Sequence, residues 1–370
     1  MFTARAPEGI GEKKYDETAA SMIALLKYGS GLPFNRLERL EGSLGIPLPA
    51  ATQWDVVNEA AGVIWPVYGE IIRQAAQGEV LHNDDTTAKI LELMGKRREK
   101  FLAGESDTDR TGIFTSGIVS VSEGRKIALF FTGRKHAGEN LEKVLAERAS
   151  EHAPPIQMCD ALSRNLSGDF NTLVANCVAH ARRQFVDVAE NFPEECRHII
   201  ETLRDVYKND AEAKELKLSP QERLRLHREQ SRRLMVELRL WFRTELKARR
   251  IEPNSGLGKA ISYMKKHWSR LTLFYRKAGA PLDNNVAERA LKKAILHRKN
   301  SMFFKTENGA RVGDLYMSVI YTAEFCGANP FDYLNELQRH AAELSENPAD
   351  WMPWNYRETL TRTAALRPQL

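Results

Sequence analysis

The chain has 370 residues, 42% hydrophobic and 28% charged, with a net charge of +5. That is the balance of an ordinary soluble globular protein, long enough for two or three domains or for one large core with an insertion. The opening MFTARAPEGIGEKKYDE has no apolar stretch after its basic residues, and the best apolar run, IALFF, falls far short of the roughly 18 residues of a membrane span. Neither a secretory signal nor a membrane anchor is expected, and a cytoplasmic protein is.

The four cysteines, Cys159, Cys177, Cys196 and Cys326, include no CxxC pair, so neither a disulfide framework nor a structural zinc site is indicated. Charge is unevenly placed. Residues 289–311 hold seven basic residues against one acid, and residues 221–250 hold ten against four. Fields of that size suit a polyphosphate partner, although solvated helix faces give the same count.

In chain order, residues 1–15 read as a loose lead-in. SMIALLKYG, PFNRLERLEGSLG and AATQWDVVNEAAGVIWPVYGEIIRQAA carry helical periodicity, with a kink expected at Pro66. The last two outline a helix–turn–helix around Gly42–Pro49, a form shared by plain αα-hairpins and DNA readers. The pattern then changes to VLHNDDTTAKILEL, TSGIVSVSEG and KIALFFTGRK, three strands. A polar loop, GKRREKFLAGESDTDRTG, separates the first two. AGENLEKVLAERA is a helix, PIQMCD a fourth strand, and LVANCVAHARRQF a short strand running into a helix.

From about Val186 to Ala278 the chain reads helical, and Trp241, Phe242, Trp268, Phe274 and Tyr275 there are expected in its core rather than on bases. After Pro281, LDNNVAERALKKAILHRKN is a helix that Asp283 or Asn284 can cap. MSVIYTAEFCG and NPFDYLNELQRHA are two more helices. The expected class is α/β: an RNase H-like mixed sheet core with a long helical insertion and helical N-terminal and C-terminal segments. The expected divisions are a helical region at 1–78, the first part of the core at 79–185, the insertion at 186–280, the end of the core at 281–328, and a tail at 329–370.

Three acids stand where phosphodiester chemistry can use them: Asp84 on the first strand, Asp160 at the end of the fourth, and Glu288 on the helix after Pro281. Two-metal catalysis needs carboxylates on adjacent elements, close enough to bridge ions about 3.5–4 Å apart. Taken singly, each acid reads equally as a cap or turn residue.

Six stretches in order carry a resemblance. They are LPFNRLERL with QWDVV, HNDDTT, CDALSRN, CVAHARRQF, PLDNNVAERALKKAILHRKNSMFF, and NPFDYL with MPWNY. The chain resembles the transposases of the insertion sequence 66 family over nearly its full length. Val178 stands where the family has an aromatic residue.

The resemblance implies a DDE transposase that cleaves and transfers DNA strands. Asp84, Asp160 and Glu288 would be both catalytic residues and metal ligands. The implied cofactor is Mg²⁺, for which Mn²⁺ can substitute. Asp84 is taken over Asp85 because the first acid of the motif is the ligand, and strand neighbours face opposite sides. His180 would orient a ligand or touch the scissile phosphate. Arg182, Arg183, Arg289, Lys292, Arg298 and Lys299 would meet DNA phosphates, although helical spacing cannot put the last four on one face.

The implied partners are double-stranded DNA at element ends and target, further copies of the chain on that DNA, and accessory proteins of the same element. The family's coiled segment and cysteine-bearing zinc module precede the point where this chain starts. Element ends are therefore expected to be recognised poorly. Two other readings are a catalytically idle or domesticated DNA-binding remnant, and a stand-alone RNase H-like nuclease or resolvase.

Overall fold

The computed structural model describes residues 14–97, 110–168 and 170–366. Most of the lead-in and most of the polar loop after the first strand lie outside those residues. The centre is one five-stranded mixed sheet in the order β3-β2-β1-β4-β5, with β1 at Val80–Thr87, β2 at Phe114–Ser122, β3 at Arg125–Gly133, β4 at Ile156–Cys159 and β5 at Leu173–Asn176. β1, β2 and β3 are antiparallel, and β4 and β5 run parallel to β1. The parallel step from β3 to β4 is made by the helix Ala137–Leu145, which buries Leu141, Val144 and Leu145.

The 27-residue helix Ala50–Ala76 packs its Val57, Ala61, Ile64 and Ile71 stripe into the main core. Pro66, where a kink is expected, lies inside this helix and does not end it. The helix before it, Phe34–Ser43, buries only Leu37. Pro33 and Pro49 immediately precede the two helices, where a missing N–H costs nothing.

Residues 178–282 gather around a second apolar cluster built on Phe185, Leu203, Phe242, Ile261 and Trp268. Phe242, Phe274 and Tyr275 are buried there, and Trp241 is half-buried against Phe242, as expected of a helical core.

A helix closes the edge of the sheet. β3 is an edge strand, and alternate N–H groups along its free side would otherwise be buried without partners. The helix Glu307–Phe325 lies along it with Asp314, Ser318 and Thr322 four residues apart. Thr132 donates its N–H to Asp314 Oδ2 at 2.6 Å, Phe130 donates to Ser318 Oγ at 2.9 Å, and Ala128 donates to Thr322 Oγ1 at 3.1 Å. Three polar residues inside an apolar helix face are thus explained by the backbone they satisfy.

A Ser318→Ala variant should lose about 1–3 kcal/mol of stability, because Phe130 N–H is left buried and unpaired. Denaturant unfolding measures this, and a loss below about 0.5 kcal/mol would contradict the edge role.

Candidate functional site

β1 and β4 are parallel neighbours, so the acids near their C-terminal ends come together. Asp84 lies within β1, and Asp160 is the first residue past β4. One amide joins them: Asn165 Nδ2 donates to Asp160 Oδ1 at 2.6 Å and reaches Asp84 Oδ1 at 3.4 Å. Asn165 is itself fixed from below, because its carbonyl accepts from Asn83 Nδ2 and Gln157 Nε2, both at 2.7 Å.

Asp85 faces the other way. His136 Nδ1 stands 2.8 Å from its carboxylate and Arg164 at 3.4 Å, with the Asp85 side chain 2% exposed. The alternation of the strand thus gives the two neighbouring acids separate surroundings.

Glu288 arrives from the opposite end of the chain, in the first turn of the helix Asn285–Ser301. Asn284, fully buried, fixes where that helix begins. Its Nδ2 donates to the Asn83 carbonyl, its Oδ1 accepts from His82 Nδ1, and its N–H donates to Cys177 Sγ. Asn284 is the N-cap residue but makes no side-chain cap bond, and Asp283 accepts from Asn285 N–H instead.

Val178 N–H donates to the Leu282 carbonyl, which docks the same segment on the helix Val178–Val186. The Glu288 helix also lies close on β2. A Cβ at Gly117, the residue paired with Asp84, would meet Leu291 at 2.9 Å.

His180 is near two of the acids. Its Nδ1 is 3.7 Å from Glu288 Oε1, and its ring is close enough to influence Asp84. Asp84, Asp160 and Glu288 do not form a close three-ligand group among the described residues. The group that does is Cys177, His180 and Glu288, whose ligand atoms all lie within 4.8 Å of one another.

Three buried polar atoms around the acids have no hydrogen-bond partner: Asn165 Oδ1, Asn176 Oδ1 and His180 Nδ1. Asn176 Nδ2 donates to the Asp160 carbonyl, which places its unsatisfied oxygen at the same strand end. Unsatisfied acceptors beside carboxylates are what a hard, oxygen-seeking cation uses. Asn165, Asn176 and Cys177 join the site without standing out in the sequence: Asn176 ends β5, Cys177 follows it, and Asn165 lies in the short turn Ser163–Asn165 after β4.

The expected DNA contacts divide. Arg182, Arg183, Arg289, Lys292 and Lys299 are exposed. Lys292 and Lys299 lie on the stripe of Glu288, four and eleven residues on. Arg298 instead turns toward β1, donating to Thr86 Oγ1 and to Thr87. In the segment 221–250, Arg223 is held by buried Asp210, and Arg233 and Arg250 pair with Glu237 and Glu245.

Similarities to known proteins enter at this point. A family model described as "Transposase IS66 family" matches residues 13–312. The uncharacterized protein y4hP of Sinorhizobium fredii is 26% identical over 366 residues, covering 92% of this chain and 62% of its own length. The uncharacterized protein y4jD of the same organism is 26% identical over 363 residues, covering 94% and 67%. This chain therefore spans roughly two thirds of the length of these relatives. No solved structure matches significantly.

Burial, with help from the nearby Asp160 charge, pushes the Asp84 carboxyl from its ordinary 3.8 up to about 6. A raised pKa means the folded state holds the proton more tightly than the unfolded state. Stability is therefore full below the ordinary value and declines as pH rises to about 6. In chelator, melting curves across that window should show the wild type losing stability that an Asp84→Asn variant keeps. Parallel pH profiles for the two proteins would contradict the burial of this charge.

Proposed function

This chain belongs to the transposase IS66 family, and from that membership we propose that it is a metal-dependent DNA strand transferase with Asp84, Asp160 and Glu288 as its three acids. One observation carries the reading. Two acids from adjacent parallel strands share the Asn165 amide, and a third stands on a helix pinned to the same strand by Asn284. We read the β3-β2-β1-β4-β5 sheet, with its antiparallel and parallel halves, as an RNase H-like core.

The donors suit a hard cation: carboxylates with free oxygens, flanked by the unpartnered Asn165 and Asn176 oxygens. Mg²⁺ or Mn²⁺ held by Asp84, Asp160 and Glu288 would, when bound, supply the positive charge that favours an attacking oxygen and the departing one.

The chain's own residues do the rest. Asn165 fixes the orientation of the two strand acids, so little reorganisation is needed when DNA arrives. Asp84, destabilised as an anion by burial and by Asp160, gains most from a cation nearby. His180, 3.7 Å from Glu288 Oε1, would contact a phosphate placed among the acids once Glu288 turns to the metal. Arg289, Lys292 and Lys299, with Arg182 and Arg183, would meet the backbone phosphates of double-stranded DNA beside the acids.

In the proposed reaction, water cuts a strand at an element end, and the freed 3′-hydroxyl attacks target DNA. No covalent enzyme intermediate is required, so no nucleophilic side chain is assigned. Assembly of several copies on DNA and help from proteins of the same element belong to this proposal.

The test is an Asp160→Asn variant, which keeps volume and loses charge. Wild type should nick or join labelled element-end DNA in Mg²⁺ or Mn²⁺ and not in chelator. The variant should bind the same DNA with cleavage below detection. Mg²⁺ should also raise the melting temperature of wild type more than that of the variant, by mass action. If metal shifts both melting curves equally and neither protein cuts DNA, a DNA-binding remnant replaces the enzyme.

A further inference from the structure

We propose that Cys177, His180 and Glu288 form a second metal site, selective for a soft divalent cation such as Zn²⁺, and that filling it withdraws Glu288 from Asp84 and Asp160. The binding stands on geometry alone. The withdrawal rests on the reading of Glu288 as the third acid of the catalytic centre.

The three residues offer sulfur, nitrogen and oxygen donors that all lie within 4.8 Å of one another. Cys177 is the residue before the helix Val178–Val186, and His180 is the third residue of that helix. Three residues apart across a helix start, the two side chains can close on one ion. Cys177 is held in place on both sides, its N–H donating to the Cys159 carbonyl and its Sγ accepting from Asn284 N–H at 3.3 Å. His180 Nδ1 is buried without a hydrogen-bond partner, and at 3.7 Å from Glu288 Oε1 the two are too far apart to bond directly.

A cation between them would satisfy both. Zn²⁺ takes Cys sulfur at about 2.3 Å and His nitrogen at about 2.0–2.1 Å in tetrahedral sites, so its ligands stand roughly 3.3–3.8 Å apart. The observed group needs adjustments of about an ångström to reach that spacing. Thiolate and imidazole select a borderline-soft ion, whereas Mg²⁺ prefers oxygen alone.

On binding, Cys177 gives its thiol proton to solvent, and the fourth position is left for water. Cys159, also buried, belongs to no comparable group among the described residues. With Glu288 turned to Cys177 and His180, the two centres would compete for one carboxylate.

Co²⁺ serves as the spectroscopic probe, added to the full chain under reducing conditions. Wild type should develop a sulfur-to-cobalt charge-transfer band that saturates at one equivalent. Zn²⁺ should erase it and excess Mg²⁺ should not. The band should vanish in Cys177→Ser and persist in Cys159→Ser. His180→Gln, which keeps the thiol, should weaken Co²⁺ binding about tenfold or more, and it decides the matter should Cys177→Ser fail to fold.

No thiolate band in wild type, or a band that survives Cys177→Ser, overturns the site. In Mg²⁺-supported strand cleavage, free Zn²⁺ at about ten times its Kd should slow wild type about tenfold. Cys177→Ser, measured against its own zinc-free rate, should be spared. A Cys177-dependent band without inhibition overturns the withdrawal of Glu288 and leaves the metal site standing. A band in a protein that never cuts DNA supports the site and counts against the catalytic reading alone.

Discussion

The Asn284 side chain ties together segments about 200 residues apart in the sequence. Its amide bonds to the Asn83 carbonyl and the His82 ring, both buried in β1, and its backbone bonds to Cys177. A buried amide in that position must be satisfied on both ends, since each unpaired group costs about 1–3 kcal/mol. Satisfied as it is here, it starts the next helix over the end of β1, with Glu288 in its first turn. The position of Glu288 therefore follows from a hydrogen-bond requirement four residues earlier. Burial keeps His82 neutral, lowering its pKa to about 4, so this joint does not loosen near neutral pH.

The same principle recurs at both ends of the sheet's polar backbone. Beneath the acids, Asn83, Gln157 and Asn165 satisfy one another, and Ser167 and Thr172 donate to the Gln157 amide oxygen. Along β3, Asp314, Ser318 and Thr322 take the free N–H groups. Three of the nine buried polar atoms left without a partner among the described residues, Asn165 Oδ1, Asn176 Oδ1 and His180 Nδ1, lie beside the acids. Buried polar networks are costly when left incomplete, so these three atoms stand to gain from a cation or a ligand placed among them.

Much of this was legible in the sequence because it is written in local patterns. β-Branching between Gly or polar turns marked the first three strands, the last two were read as short strands, and 3.6-residue periodicity marked the helices around them. Phe242 and Trp268 were readable as core because their neighbours repeat at helical spacing. What escaped depends on residues distant in sequence. Nothing local in CDALSRN says that Asn165 will bridge two acids, and no CxxC spacing announces that Cys177 will face His180 and Glu288. The sequence shows that Arg289, Lys292, Arg298 and Lys299 cannot share one helix face, but not that Arg298 would be the one to turn to Thr86 and Thr87. Pro66 does not end its helix, which continues to Ala76 with core packing on either side.

The central claim is that Asp84, Asp160 and Glu288 converge on one divalent-metal centre. Anomalous diffraction from crystals of the full chain grown with Mn²⁺ tests it most directly. The account predicts Mn²⁺ in contact with Asp84 and Asp160, with Glu288 swung from His180 to coordinate at about 2.0–2.3 Å. Manganese absent from the two strand acids, or bound there with Glu288 still turned to His180 and Cys177, would contradict it.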